Sequence, residues 1–273
     1  MSINHPCYSD GCHNNIVRIH LPVADVCNLG CGFCERSIEN RNEIKKSNNA
    51  ISPTKAIKWL DKLINEDKED IKIIGIAGPG EPLFSKNTFK TLKLVKEKFP
   101  NLDTCLCTNG VNLNNTIEDI KSELDYLTVT INAFTPQTAK KIYKFVIFDE
   151  KYKYDLASFK KMLDNKWDGL RKAIDYNSFK AVKINTIYIP DINDDEIKLI
   201  AKKASEIGIN ELNLKKLMPK AYFKEHTKFD KEKFIKARKE AEKYITVFKE
   251  CKNCGYDSYG VPGKDKSLHE KFN

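Results

Sequence analysis

The chain has 273 residues, 41% of them hydrophobic, and a formal charge of +9. That length can bury one sizeable core, as one barrel-sized domain or two small ones, and one domain with functional tails is expected. There is no window of eighteen apolar residues and no charged-then-apolar leader with a small-residue cleavage site, so neither a membrane span nor a secretory signal is expected, and the protein should be cytoplasmic. Most of the positive charge is lysine alternating with Glu and Asp, as from Lys231 to Lys249, which describes a solvated helix surface rather than a nucleic-acid face.

In chain order, an arm over 1–15 carries His5, Cys7, Cys12 and His13, and IVRIHLPVA (16–24) is the first predicted strand. CNLGCGFC (27–34) follows, then a helix near 53–65, the strand IKIIGIAG (71–78) running into AGPGEP (77–82), and a helix over 86–98. DTCLCTNG (103–110), a helix over 115–122 and YLTVTIN (126–132) come next, followed by helices near 136–145 and 158–176. AVKINTIYI (181–189), a helix over 194–207, ELNLKKLM (211–218) and a helix over 230–248 complete the alternation, and a tail over 249–273 carries Cys251 and Cys254. Trp59 and Trp167 fall in helical apolar patterns and are assigned to the core. Strands separated by helices require a parallel sheet, and right-handed crossovers curl it into a partial (β/α)6 TIM-type barrel with cysteine-bearing extensions at both ends. The expected division is thus an arm (1–15), a barrel (16–248) and a tail (249–273). In such folds chemistry gathers at the C-terminal ends of the strands, where CNLGCGFC, AGPGEP and CTNG all fall.

Nine cysteines in a reducing compartment are poor disulfide candidates, and an odd number cannot all pair, so metal binding is the better reading. Cys27, Cys31 and Cys34 are separated by three and two residues with no fourth ligand nearby, which does not suit a closed tetrahedral zinc site. Three thiolates on a tight loop suit three corners of a 4Fe-4S cluster, leaving one iron open for a substrate or cosubstrate. In AGPGEP, Gly78 and Gly80 let the backbone approach a ligand, Pro79 and Pro82 stiffen the turn, and Glu81 offers a carboxylate; an ordinary β-to-α turn is the plain alternative. Cys251 and Cys254, as CKNC, would by spacing be half a zinc ribbon or a redox pair, but no second such pair exists to complete a ribbon. If arms from both termini fold over the barrel mouth, the six cysteines outside the triad, with His5, His13 and His20, suffice for two further clusters.

The triad spacing, with an aromatic residue before its third cysteine, resembles the signature of the radical S-adenosylmethionine (SAM) superfamily. The resemblance narrows to the NifB family of nitrogenase-cofactor maturases, in its short form without a carrier domain. The stretches that carry it are HPCYSDGCH (5–13), RIHLPVADVCNLGCGFCER (18–36), GIAGPGEPL (75–83), CLCTNG (105–110), TVTINA (128–133), IYKFV (142–146), KINTIYIPDIND (183–194) and CKNCGYDSYGVPG (251–263). It implies one 4Fe-4S cluster on Cys27, Cys31 and Cys34 that chelates SAM, with Gly78, Gly80 and Glu81 holding the SAM amino group. Asn132 and Asn185 are placed to reach its ribose or carboxylate, or else to satisfy buried backbone groups. It further implies two auxiliary 4Fe-4S clusters, fused with insertion of a SAM-derived carbide and a sulfur into an eight-iron precursor, with ligands among Cys7, Cys105, Cys251, Cys254 and His13. The implied partners are an iron-sulfur cluster donor and downstream cofactor scaffold or carrier proteins.

One segment departs from the family: RSIENRNEIKKSNNAISP (36–53) has neither the expected fourth cysteine nor Glu-Ser-Arg-Pro-Gly, so that either Cys12 and Cys107 replace that thiolate or the chain belongs to a divergent branch with another substrate. Two rival readings stay open. A radical SAM enzyme with auxiliary relay clusters that modifies a peptide or an RNA also fits a tail CxxC and a basic surface. An iron-sulfur scaffold or zinc-binding structural protein leaves Glu81 and its turn unexplained.

Overall fold

The computed structural model describes residues 5–8, 16–35, 46–66 and 68–272. Cys12, His13 and most of the divergent segment, residues 36–45, lie outside the described residues. The strand β1 (Val17–His20) leads into the short β2 (Leu29–Cys31), and α1 (Pro53–Asp61) starts at Ser52, whose hydroxyl accepts from Lys55 N at 3.2 Å, with Pro53 pre-set for the first turn. The helix α1 widens into one π-type turn over Lys62–Glu66. Then come β3 (Ile71–Ile76), α2 (Lys86–Lys98), β4 (Asp103–Thr108), the single turn α3 (Leu113–Thr116) and β5 (Tyr126–Thr130). Next are α4 (Pro136–Ile142), the hairpin β6 (Tyr143–Phe148) and β7 (Lys151–Lys153), α5 (Leu156–Tyr176), β8 (Ala181–Tyr188) and α6 (Ile197–Glu206). The chain ends with β9 (Glu211–Lys216), α7 (Lys231–Glu242), β10 (Thr246–Phe248), β11 (Ser258–Gly260), β12 (Lys266–Ser267) and α8 (Leu268–Phe272).

The main sheet has the order β10-β9-β8-β5-β4-β3-β1-β11-β12. Its run from β10 to β1 is parallel throughout, and β11 and β12 add antiparallel at the β1 edge. The six predicted strands therefore occur, in the expected parallel arrangement of a partial barrel. One face of the sheet packs on the helices through a single apolar core containing Ile19, Ile74, Leu106, Leu127, Val129, Ile184 and Leu212, and both Trp59 and Trp167 belong to it. The alternate residues of each strand point to the other face and line the interior.

Three helix expectations need correction. The helix expected over 136–145 stops at Ile142, because residues 143–148, YKFVIF, are β-branched and aromatic and pair antiparallel with β2, Leu29 opposite Val146 and Cys31 opposite Tyr143. Asp149 and Glu150, at φ 49° and 59°, make the tight turn into β7. The helix expected over 230–248 stops at Glu242, and Thr246–Phe248 becomes a seventh parallel strand against Glu211–Asn213. The helix expected over 115–122 shrinks to α3 and one 3-10 turn over Ile117–Asp119.

Residues 249–257 carry the chain from one edge of the parallel sheet, β10, to the other, where β11 pairs with β1. The tail is built into the main core there: Leu268 is fully buried, Tyr259 is buried, and Phe272 stacks on Trp59 with ring centroids 4.8 Å apart. No helix among the described residues is long and apolar enough to cross a membrane. Leu268→Ala is expected to lower unfolding stability by about 2–5 kcal/mol in chemical denaturation, the cost of deleting a core leucine; a loss below about 0.5 kcal/mol would mean that the tail docks without contributing to the fold.

Candidate active site

Beyond β1 the chain crosses the C-terminal ends of the strands and is zipped to the turn after β3. Ala24 N donates to Gly78 O (3.2 Å), Gly80 N to Ala24 O (2.5 Å) and Glu81 N to Val26 O (2.7 Å). A Cβ at Gly80 would collide with the Val26 carbonyl, so this approach requires glycine. Gly80 thus acts here by letting two loops close, with its amide committed to Ala24 O. From the other side, β6 clamps the cysteine loop: Gly32 N donates to Ile142 O (2.9 Å), and the Phe145 ring lies where a Gly30 side chain would be. Tyr222 N donates to Gly32 O (2.9 Å), and Phe223 covers Gly32.

This loop places Cys27, Cys31 and Cys34, all half-buried, on one cavity of about 680 Å3, together with Gly80 and Glu81 and with Cys107, Thr130 and Ile187 farther in. The size suits a nucleoside-containing small molecule. Three thiols outside any disulfide, from one tight loop beside a carboxylate, fit a cluster with one open iron, and this donor set does not fit a tetrahedral ion. Among the described residues no three His, Cys, Asp or Glu side chains gather tightly enough to hold a single metal ion; cluster thiolates bind different irons and have no need to.

Glu81 is buried and accepts from Leu83 N (3.0 Å), Asn109 N (2.7 Å) and the Thr108 hydroxyl. Burial raises its pKa against these donors. A carboxylate has about four lone-pair positions, so one remains for a cationic ligand group. Asn132 Oδ1 accepts from Ile187 N (2.9 Å), which ties the end of β5 to β8, while its buried Nδ2 has no hydrogen-bond partner among the described residues. Asn185 accepts from Asn213 Nδ2 (3.1 Å) inside the barrel. Neither asparagine lines the cavity.

Sequence reasoning missed three features. Asn28 and Asn112 share a hydrogen bond (3.1 Å), Asn109 donates to Asn28 Oδ1 (2.9 Å), and Asn112 donates to Leu83 O (3.1 Å), so a small amide network joins the loops after β1, β3 and β4. The TNG run at 108–110 was the only sign of it. Lys166 of α5 is fully buried behind the site, with Nζ 3.3 Å from Thr130 O and 5.2 Å from the Tyr143 ring centre. Burial lowers its pKa to about 8, partly opposed by Cys31 and Glu81. A lysine on an otherwise apolar helix face was the available signal.

The third feature is the interior beneath the cavity, where strand register forms rows of side chains. His20, Gly75, Cys105, Tyr126 and Ala181 stand side by side across five strands, and Cys107, Thr128 and Lys183 form the next row. The arm enters here rather than folding over the mouth. The Tyr8 hydroxyl meets Thr128 Oγ1 (2.6 Å), the His5 ring packs on Tyr126 (4.6 Å), and Lys183 Nζ donates to Cys7 O. The tail approaches from the other side: His20 Nδ1 donates to Gly255 O (2.7 Å), while Arg18 donates to His20 Nε2 (3.0 Å) and Ser258 Oγ (3.2 Å). Burial and Arg18 hold His20 neutral, with a pKa near 3.

Cys7, Cys105, Cys107, Cys251 and Cys254 thus share one electrostatic environment although they come from the arm, β4 and the tail. Burial raises the Cys7 thiol, opposed by Lys183 and Arg18. A hydrogen bond between Cys105 and Cys107 raises the first and lowers the second to about 6, burial and Lys183 also acting on both. Burial would raise Cys251, but Lys215, Asn253, Asn213 and Lys183 bring it below its ordinary value, whereas burial lifts Cys254 to about 11.

The sequence profile of the radical SAM superfamily matches residues 21–204. The FeMo cofactor biosynthesis protein NifB of Methanocaldococcus jannaschii is 38% identical over 275 residues, covering 98% of this chain and 89% of the relative. NifB of Methanocaldococcus infernus is 38% identical over 98% of this chain and 88% of its own, and that of Chlorobaculum tepidum 32% over 97% and 63%. Among solved structures, SuiB of Streptococcus suis bound to precursor peptide SuiA superposes with a TM-score of 0.62 at 16% identity, covering 88% of this chain and 51% of SuiB. Methylornithine synthase PylB gives 0.51 at 13%, covering 87% and 65%. At such identities the likeness is one of fold.

Lys166 generates a stability prediction. Between about pH 8 and the 10.5 of an ordinary lysine the unfolded chain binds more protons than the folded one, so this residue makes stability rise with pH across that window. Lys166→Met is therefore expected to stabilise the cluster-free protein at pH 7 by about 1–3 kcal/mol, with the gain shrinking above pH 8 and nearly gone by 10.5. Denaturant titrations of both proteins at pH 7, 9 and 10.5 check this; a pH-independent difference would assign the effect to packing.

Proposed function

Since the chain belongs to the radical SAM superfamily and, within it, to the NifB family, we propose that it is the maturase that builds the eight-iron precursor of the nitrogenase cofactor. It fuses two auxiliary 4Fe-4S clusters with insertion of a carbide from the SAM methyl group and one sulfur. The enzyme is of the radical SAM iron-sulfur class, and its resident 4Fe-4S cluster, with SAM, supplies one-electron reductive cleavage.

Cys27, Cys31 and Cys34 would hold that cluster. The zipped loops fix the cysteine loop against the turn after β3, so that Glu81 presents its remaining lone pair to the SAM ammonium, a charge-assisted hydrogen bond of roughly 1.5–3 kcal/mol. Phe33, Phe145 and Tyr222 wall the cavity and limit water around a reactive radical. The observation that carries the reading beyond the superfamily is that three cysteine-bearing segments meet at the barrel: Cys7 of the arm packs against the buried cluster that contains Cys105 of β4, and the tail segment with Cys251 and Cys254 is held to the inward His20 through Gly255 O. Cys107 belongs to both regions, lining the cavity and following Cys105 by two residues on the same face of β4. Cys7, Cys105, Cys251 and Cys254 are the proposed ligands of the cluster substrates, with Cys107 in reserve for the thiolate missing from the divergent segment, and His13 and Cys12 as further candidates. We place the protein in the reducing cytoplasm, receiving clusters from an iron-sulfur donor and passing its product to a cofactor scaffold or carrier protein.

Anaerobic reconstitution tests this. Iron at about twelve per chain, with labelled methyl carbon from SAM appearing in acid-labile cluster material, is the expected outcome. Three clusters without label transfer would favour a relay-cluster enzyme acting on a peptide or RNA, and zinc with little iron would favour a structural protein. Cys31→Ala is expected to abolish reductive SAM cleavage while leaving auxiliary iron largely intact; 5′-deoxyadenosine formation by that variant would overturn the assignment of the triad.

A further inference from the structure

The barrel interior holds cations that neither SAM binding nor ordinary folding explains. Arg18, on the inward face of β1, is 1% exposed, and its Nε and Nη2 make no hydrogen bond; the nearest carboxylate, Asp265, stands 3.8 Å from Nη2. Lys183 on β8 is 2% exposed, sits 4.4 Å and 4.8 Å from the Tyr8 and Phe248 ring centres, and has its carboxylate neighbour Glu211 at 3.6 Å. Lys215 on β9 is half-buried beside Cys251. The remaining acid nearby, Asp257, is already bonded to Ser267 and His269 at 2.6 and 2.9 Å. Burying an arginine with two idle donors costs several kcal/mol unless something anionic meets them.

Lys183 stands beside Thr128, and Thr128 beside Cys107, in one row. Lys183 Nζ donates to Cys7 O and lies over the Phe248 ring just before the tail, while Arg18 donates to Ser258 Oγ and to His20, which in turn holds Gly255 O beside Cys254. The two cations thus touch the backbone that carries the arm and tail thiols. Both reach around the interior rather than into the SAM cavity, whose lining contains neither.

We propose that Arg18, Lys183 and Lys215 form a cationic receptor for thiolate-bound iron-sulfur cargo inside the barrel, with the uncommitted Arg18 N–H groups donating to cluster sulfide. This rests on the reading above that clusters bind there, and adds which residues hold their charge. A cluster with thiolate ligands is anionic, and its charge grows on reduction, so neighbouring cations both retain it and raise its reduction potential. A receptor made of charge rather than covalent ligands also keeps hold of a cluster while its thiolates are being exchanged.

The test uses the full chain, anaerobically reconstituted, with iron and sulfide counting and redox titration followed by electron paramagnetic resonance. Lys183→Met and Arg18→Met are each expected to lose about one cluster of four irons, or to retain it at a more negative potential, while the signal of the triad cluster reports an intact fold. Lys183→Arg should restore both quantities, whereas Lys183→Gln, which can keep a hydrogen bond to Cys7 O without the charge, should not. If the buried variants fail to fold, Lys215→Met at the half-buried position decides: a negative shift in auxiliary potential supports the receptor and an unchanged potential overturns it. Folded variants with wild-type iron and wild-type potentials overturn this inference and leave the proposed function standing. Wild-type protein that takes up only the triad cluster overturns both.

Discussion

Parallel strand register is the constraint on which the rest of this structure depends. In a curled parallel sheet every second residue faces inward, and the hydrogen-bonded register decides which inward residues stand beside one another. With β4, β5 and β8 in their observed register, Cys107 is beside Thr128 and Thr128 beside Lys183, one row above Cys105, Tyr126 and Ala181. A one-residue slip of β4 would turn both cysteines into the apolar layer under the helices, where Leu106 now packs. The apolar outward face, fixed by burial against the helices, therefore also positions the chemistry.

The upper site depends on loop closure. The chain after β1 and the turn after β3 share three backbone hydrogen bonds at residues 24–26 and 78–81, and an amide network extends the contact to the loop after β4. Glu81 sits where these loops meet and is held by donors from its own turn and from β4's. The same carboxylate thus knits loops together and supplies negative charge to the cavity, and Lys166 behind it keeps a positive charge in the wall.

The lower interior is polar, buried and dense with thiols. In a low-dielectric space each unmatched charge is costly, so cations and thiolates placed together there stabilise one another and whatever bridges them. Arm and tail complete this chamber from opposite sides, His5 and Tyr8 against Tyr126, and Gly255 and Ser258 against His20 and Arg18. The tail contributes to the apolar core as well through Tyr259 and Leu268, which makes the chamber wall as stable as the sheet that carries it.

Much of this was legible in the sequence because it is local. Period-2 strands, amphipathic helices and the order in which they alternate follow from residue pattern, and the triad spacing and the glycine turn are short motifs whose chemistry is set by residue type. Four decisions belonged to tertiary structure. Residues 143–148 and 246–248 read as continuations of helices and became strands, because the free edges of β2 and β9 offer pairing partners that propensity within one segment does not see. Asn132 and Gly80 were legible as polar and flexible positions, but whether they face a ligand or a neighbouring backbone depended on how closely two loops approach. Arg18, Lys166 and Lys183 look like surface charges in a chain this rich in lysine; only the curl of the sheet and the packing of α5 put them inside. And the meeting of Cys7, Cys105 and Cys254 could be anticipated from the count of cysteines, whereas its place within the barrel rather than over its mouth was decided by where Tyr8 and Tyr259 find buried surface.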